Sequence, residues 1–175
     1  MKIRTNAFLL FIVLSLVTSC ASIPKGANTV NPFDSERYLG KWYEIARFDF
    51  RFERNLNNTM AEYSMNNDGT IRVENSGYNY KKNKWEKAIG KARFRGLKTI
   101  AEFKVSFFGP FYAEYNVIML DNDYRYALIA GSNLNYLWIL SRDKTIPDQI
   151  KMKYLDEAKR LGYKTENLIW VEQNK

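Results

Sequence analysis

Few residues in this chain can do chemistry, and their types exclude most catalysis. There is no histidine, and Cys20 is the only cysteine. Ser-His-Asp and Cys-His centres cannot be assembled, and the commonest zinc and haem ligands are missing. No catalytic centre, metal site or cofactor is therefore expected. Carboxylates such as Glu44 and Glu114 remain as acid–base groups, but no spacing pairs them. Residues 48–54 suggest a different chemistry, reading Phe48-Asp49-Phe50-Arg51-Phe52-Glu53-Arg54. Phenylalanines interleaved with guanidinium groups suit a ligand with an apolar tail and an anionic head. The same phenylalanines could instead pack inward as ordinary core.

The position of Cys20 gives it a covalent role. Lys2 and Arg4 precede an apolar run of 11 residues, 7–17, broken only by Ser15. A bilayer span needs about 20 such residues, so this run has the length of a signal-peptide core. Val17-Thr18-Ser19-Cys20 then resembles a bacterial lipobox. The resemblance implies that residues 1–19 are removed, and that Cys20 carries diacylglycerol on its sulfur and an acyl chain on its amine. Ala21, where an aspartate would imply inner-membrane retention, implies the outer membrane instead. Residues 20–32 read as a lipidated tether, with Pro24, Gly26, Asn28, Asn31 and Pro32 and no periodicity. The remaining chain holds 25 basic and 19 acidic residues. That surplus favours anionic partners, but its dispersal among acidic residues argues against a nucleic-acid surface.

The elements that must position these residues are mostly strands. Aromatics make up 15% of the 175 residues, which suits strands and an aromatic interior. Residues 101–107 alternate most cleanly, with Ala101, Phe103, Val105 and Phe107 on one face. Further strands are predicted over 41–48, 59–65, 71–74, 85–95, 112–120, 126–130 and 136–141. Asn66-Asn67-Asp68-Gly69 is a tight-turn signal. Eight short strands with brief connections predict an all-β fold, as an up-and-down antiparallel barrel or a sandwich. Ile150, Tyr154, Leu155, Ala158 and Leu161 fall at helical spacing within 147–162, predicting one helix packed outside the sheet. Residues 168–171 read as a short closing strand.

Gly40-Lys41-Trp42-Tyr43-Glu44-Ile45-Ala46-Arg47 resembles the first-strand signature of the lipocalin family. Asn122-Asp123-Tyr124 resembles the family's element between strands six and seven. Arg142 resembles the arginine closing strand eight. The similarity covers about residues 33–172 and, with the lipobox, is closest to the bacterial outer-membrane and apolipoprotein D-like members. It implies a lipocalin domain over 33–175, an eight-stranded calyx with its helix outside. Strand counting puts Trp42, Tyr124 and Arg142 at one end, where with Gly40 they would close the barrel through a cation–π contact.

The mouth must then be built from the loops near 48–58, 80–84, 107–112 and 131–136. Ala88, Gly90 and Ala92 facing large neighbours fit either a jigsaw core or a cavity; the resemblance favours a cavity. Its expected lining is Phe50, Arg51, Tyr63, Phe94, Phe103, Val105, Phe107, Tyr112, Asn116, Tyr136 and Trp138. The expected ligand is a fatty acid or lysophospholipid, stored or transported by a membrane-anchored, non-enzymatic carrier. The mouth's exposed aromatics could also form a homodimer interface. An enzyme acting on a lipid, or an envelope structural protein with a filled barrel, are the alternatives.

Overall fold

The computed structural model describes residues 23–175, so residues 1–19, expected to be a signal peptide, and Cys20 lie outside the described residues. A four-residue helix, α1 (Ser35–Tyr38), leads into eight consecutive strands. These are β1 (Gly40–Arg47), β2 (Leu56–Met65), β3 (Ile71–Asn79), β4 (Lys84–Phe94), β5 (Glu102–Phe108), β6 (Phe111–Leu120), β7 (Tyr126–Ala130) and β8 (Leu137–Ser141). Then come the helix α2 (Asp148–Arg160) and a two-residue strand, β9 (Ile169–Trp170). Each of β1–β7 pairs antiparallel with the next strand, and β1 also pairs with β8. The sheet therefore closes on itself, and β9 adds to the outside of β1.

Register fixes which side chains face inward, because a one-residue slip turns every side chain to the other face. Phe103 pairs with Tyr115, Val105 with Ala113, and Val73 with Gly90. Phe103, Tyr115, Val105 and Val73 all belong to the inner cluster with Trp42, Tyr63 and Ile129. The opposite face of β6–β8 carries Ile118, Leu128, Ala130, Leu137 and Ile139. On that face Tyr154 and Ala158 of α2 and the following Leu161 pack, and the Tyr154 hydroxyl donates to the Tyr126 carbonyl at 2.8 Å.

The closed end is held by Arg142. Its guanidinium lies 3.9 Å from the Trp42 ring and donates to the carbonyls of Tyr124, Lys41 and Arg37 at 3.1, 2.8 and 2.8 Å. Trp42 Nε1 donates to the Tyr38 carbonyl at 2.8 Å, and Tyr124 accepts the Asp34 backbone N–H. Gly40 has φ +88° beside Arg142, a backbone conformation that a side chain would strain. Three separate segments, around residues 34–42, 124 and 142, thus meet at one plug.

Strand ends differ from the predicted ones where bulges intervene. β2 begins at Leu56, three residues earlier than the alternation indicated, because a bulge between Asn57 and Met60 breaks the pattern. A second bulge sits between Glu44 and Ala46. Above Tyr43↔Met60 the two strands part, and the C-terminal segment fills the gap. Gln173 Nε2 donates to the carbonyls of both Glu44 and Thr59 at 2.8 Å, and Asn58 N–H donates to the Glu172 carbonyl at 2.7 Å. Backbone groups that the splayed ladder would leave unpaired are satisfied in this way.

Candidate functional site in the barrel interior

The interior is divided by height. Its lower half is filled by aromatic side chains. Phe94 and Phe103 rings lie 4.6 Å apart, and Phe33 packs edge-on against both. Tyr38 and Tyr63 each share a hydrogen bond with the Tyr115 hydroxyl, at 2.7 and 3.1 Å. Burial pushes the Tyr63 phenol up to about 12, and those of Tyr38 and Tyr115 well above their usual range. All three stay neutral and form a polar floor.

Above this floor the wall is accessible. Ala88 lies on the inner face of β4 with Gly90 and Ala92, since β3 and β4 pair without a break from Ile71↔Ala92 to Asn79↔Lys84. Ala113 lies on the inner face of β6, opposite Val105. Both alanines are nevertheless exposed, and Val105, Phe107 and Trp138 are half-buried. A Cβ on Gly90 would come 2.8 Å from the Phe107 ring, so glycine there lets that ring lie flat against the wall. Small residues on β4 and β6 thus leave the upper inner wall open to solvent above the tyrosine floor.

One side of this space is charged. The bulge at Ile45 changes the parity of β1, so Glu44 and Arg47, three residues apart, both point inward. Arg47 Nη1 donates to Glu44 Oε1 at 2.7 Å, and its Nη2 donates to the carbonyls of Glu53 and Leu56 at 2.8 and 3.0 Å. Thr59 donates to the same Glu44 oxygen at 2.9 Å, and Trp138 Nε1 donates to Glu53 Oε2 at 3.1 Å. Two carboxylates therefore share one guanidinium. Burial, and then repulsion from Glu44, pushes Glu53 up to about 8. Burial also raises Glu44 against the pull of Arg47.

Glu53 belongs to the rim loop, which ties that loop to pH. Its folded pKa lies above its unfolded value near 4.3. Its contribution to stability is therefore complete below that value and is lost as pH rises through about 8. Between pH 6 and pH 9 the wild-type chain is expected to lose about 1–3 kcal/mol more stability than Glu53→Gln, read by denaturant unfolding at the two pH values. Equal losses in both proteins would show that Glu53 is not the titrating group.

The sequence-derived residues fall into four groups. Tyr63, Phe94 and Phe103 lie in the filled lower half, while Val105, Phe107 and Trp138 line the accessible wall. Phe50 stands at the rim with its ring 5.4 Å from Tyr136 and 6.5 Å from Trp138, and the exposed Arg51 lies over Phe52 at 5.0 Å. Tyr112 and Asn116 require correction. The Phe103↔Tyr115 register turns both outward. Tyr112 packs under Arg93 at 4.5 Å, and Asn116 is buried in the outer layer, donating to the Ala130 carbonyl at 3.2 Å. Glu114 also faces outward, near Arg95 and Lys104. Sequence reasoning gave no inward role to Arg47 or Glu53, because simple alternation puts Arg47 on the outer face. A cleft of about 550 Å³ lies beside the mouth, between residues 54–57, Tyr80 and β9.

A closed eight-stranded barrel, plugged at one end and open at the other above an accessible inner wall, is the architecture of a small-molecule calyx. The chain belongs to the lipocalin family: residues 33–173 match the model of a lipocalin-like domain. It is 54% identical over 160 residues to the outer membrane lipoprotein Blc of Citrobacter freundii, covering 90% of each chain. It is 44% identical to the Vibrio cholerae protein of that name, covering 96% of this chain and 99% of the relative. Insecticyanin from the tobacco hornworm shares the fold at 20% identity, with a TM-score of 0.70 over 86% of each chain. The chain, like its bacterial relatives, is a lipoprotein of the outer membrane.

Proposed function

We propose that the barrel carries one long-chain amphiphile, a fatty acid or a lysophospholipid, and performs no chemistry on it. Its acyl chain would lie along Ala88, Val105, Phe107 and Ala113, above the tyrosine floor. Its anionic head would remain at the rim, near Arg51 and the lysines of residues 81–84. The observation that carries this reading is the exposure of Ala88 and Ala113 on the inner wall. Side chains of this size leave room that a jigsaw core would fill. Each methylene taken from water contributes about 0.8 kcal/mol, from which association and chain ordering subtract. Acylation of Cys20 would hold the carrier at the membrane, because several chains anchor where one binds only marginally.

Organic extraction of the purified full chain tests the reading. Anchor chains are covalent and stay with the protein, whereas cargo is released. One free acyl amphiphile per chain is expected in the extract. An extract without any, together with no uptake of added palmitate or lysophosphatidylethanolamine, would refute the proposal.

A further inference from the structure

The two ends of the barrel differ in surface chemistry. Exposed large apolar residues concentrate on and beside the four mouth loops: Phe52, Tyr80, Trp85, Phe108, Phe111 and Leu134. Phe111 is 77% exposed, and Phe52 packs against Phe108 at 5.9 Å, joining two of the loops into one apolar ridge. Arg51, Lys81, Lys82 and Lys84 are exposed among them. The closed end exposes Met65 and Leu97. An apolar ridge set among cationic side chains is the composition of a surface that enters a lipid headgroup layer.

The course of the N-terminal segment says which surface covers it. α2 ends at the mouth: the Tyr163 hydroxyl donates to the Tyr136 carbonyl, and Gly162 lies against Leu134. At that same end the Gly26 carbonyl accepts from Arg160 at 3.1 Å, and Ile23 packs on the outer cluster. From there the chain descends, with Val30 bonded to Val117 and Ala101, and Phe33 bonded to Thr99 near the plug. Ile23 lies three positions after Cys20, a reach of at most about 11 Å. A ten-residue strand such as β2 is about 33 Å long. An acyl anchor on Cys20 is thus tied close to the open end and far from the plugged one.

We infer that the rim is a membrane-docking surface, lying mouth-down on the bilayer that holds the anchor. The inference rests on the acylation of Cys20 proposed above. In this orientation an acyl amphiphile passes between bilayer and barrel without crossing open water. The basic residues favour a membrane containing anionic lipid.

The test uses the acylated full chain in vesicles of phosphatidylethanolamine and phosphatidylglycerol, doped with a headgroup nitroxide lipid. Cys20 is the sole cysteine, so Phe111→Cys at the rim and Leu97→Cys at the plug each create a unique site for a fluorescent label. The label at 111 is expected to lose most of its emission to the nitroxide and to be shielded from aqueous iodide. The label at 97 is expected to show the reverse. Equal iodide access at both positions, or stronger nitroxide quenching at 97, would overturn the proposal. Self-quenching at 111 independent of lipid would place a second copy of the chain on the rim and also overturn it. The wild-type chain should float with the vesicles and take up no thiol label. If it fails either control, the anchor is wrong, and the proposal falls through the anchor rather than through the orientation.

Discussion

Replacing Arg47 by methionine is expected to lower folding stability by about 3–5 kcal/mol at pH 7, the usual consequence of removing one partner from a buried ion pair. Arg47 is almost fully enclosed, and its guanidinium serves Glu44 and two backbone carbonyls of the rim loop. Methionine fills much of the volume but leaves both carboxyl groups inside without a cation. Glu44 and Glu53 then rise further, because burial continues to oppose their charge while the attraction is gone. The defect should therefore deepen as pH increases. Replacing all three ionisable groups together, in Glu44→Gln/Arg47→Met/Glu53→Gln, should recover most of the loss, since no unpaired ionisable group remains buried. Chemical denaturation of the wild type and these two variants measures this. If Arg47→Met unfolds at the wild-type midpoint, the cluster does not hold the mouth loop.

Filling the barrel should abolish cargo binding while leaving the fold intact. Ala88→Trp adds an indole to an inner position that is exposed and unobstructed. Labelled palmitate retained by the full chain is expected to fall at least about tenfold, equivalent to about 1.4 kcal/mol of binding. The thermal midpoint should move little, because no existing contact is displaced. Ile89→Trp is the control: it lies one residue along the same strand, 59% exposed on the outer face. Retention by that protein should equal wild type. If both substitutions weaken binding alike, the inner wall is not where the acyl chain sits.

The barrel was legible because side-chain parity and polarity agree along several strands. Ala101, Phe103, Val105 and Phe107 alternate with Glu102, Lys104 and Ser106, and counting strands from Trp42 brings Tyr124 and Arg142 to the same end. β6 was not legible in this way. α2 covers part of the barrel's outer wall, so Ile118 and Asn116 are buried on one face of β6 while Tyr115 and Val117 face in. With both faces buried, alternation loses its meaning, and Tyr112 and Asn116 were placed on the wrong side.

The charged wall was hidden for another reason. One extra residue at Ile45 reverses the facing of Arg47, and nothing in the Glu44-Ile45-Ala46-Arg47 string announces a bulge. Glu53 reaches the interior only because the rim loop folds over it. Gln173 takes part only because β1 and β2 separate above Tyr43. Such features arise from tertiary closure and leave no periodic trace. The interior is consequently less apolar than alternation alone indicated. Its cargo would meet an ion-paired wall on one side and an aliphatic and aromatic wall on the other.

Native mass spectrometry of the intact acylated chain tests the existence of the cargo directly. One additional mass matching a single acyl amphiphile is expected on the wild-type protein and on Ile89→Trp, released at low collision energy and missing from Ala88→Trp. A wild-type spectrum that shows only the anchored polypeptide, even after incubation with palmitate or lysophospholipid, would contradict a barrel built to carry lipid.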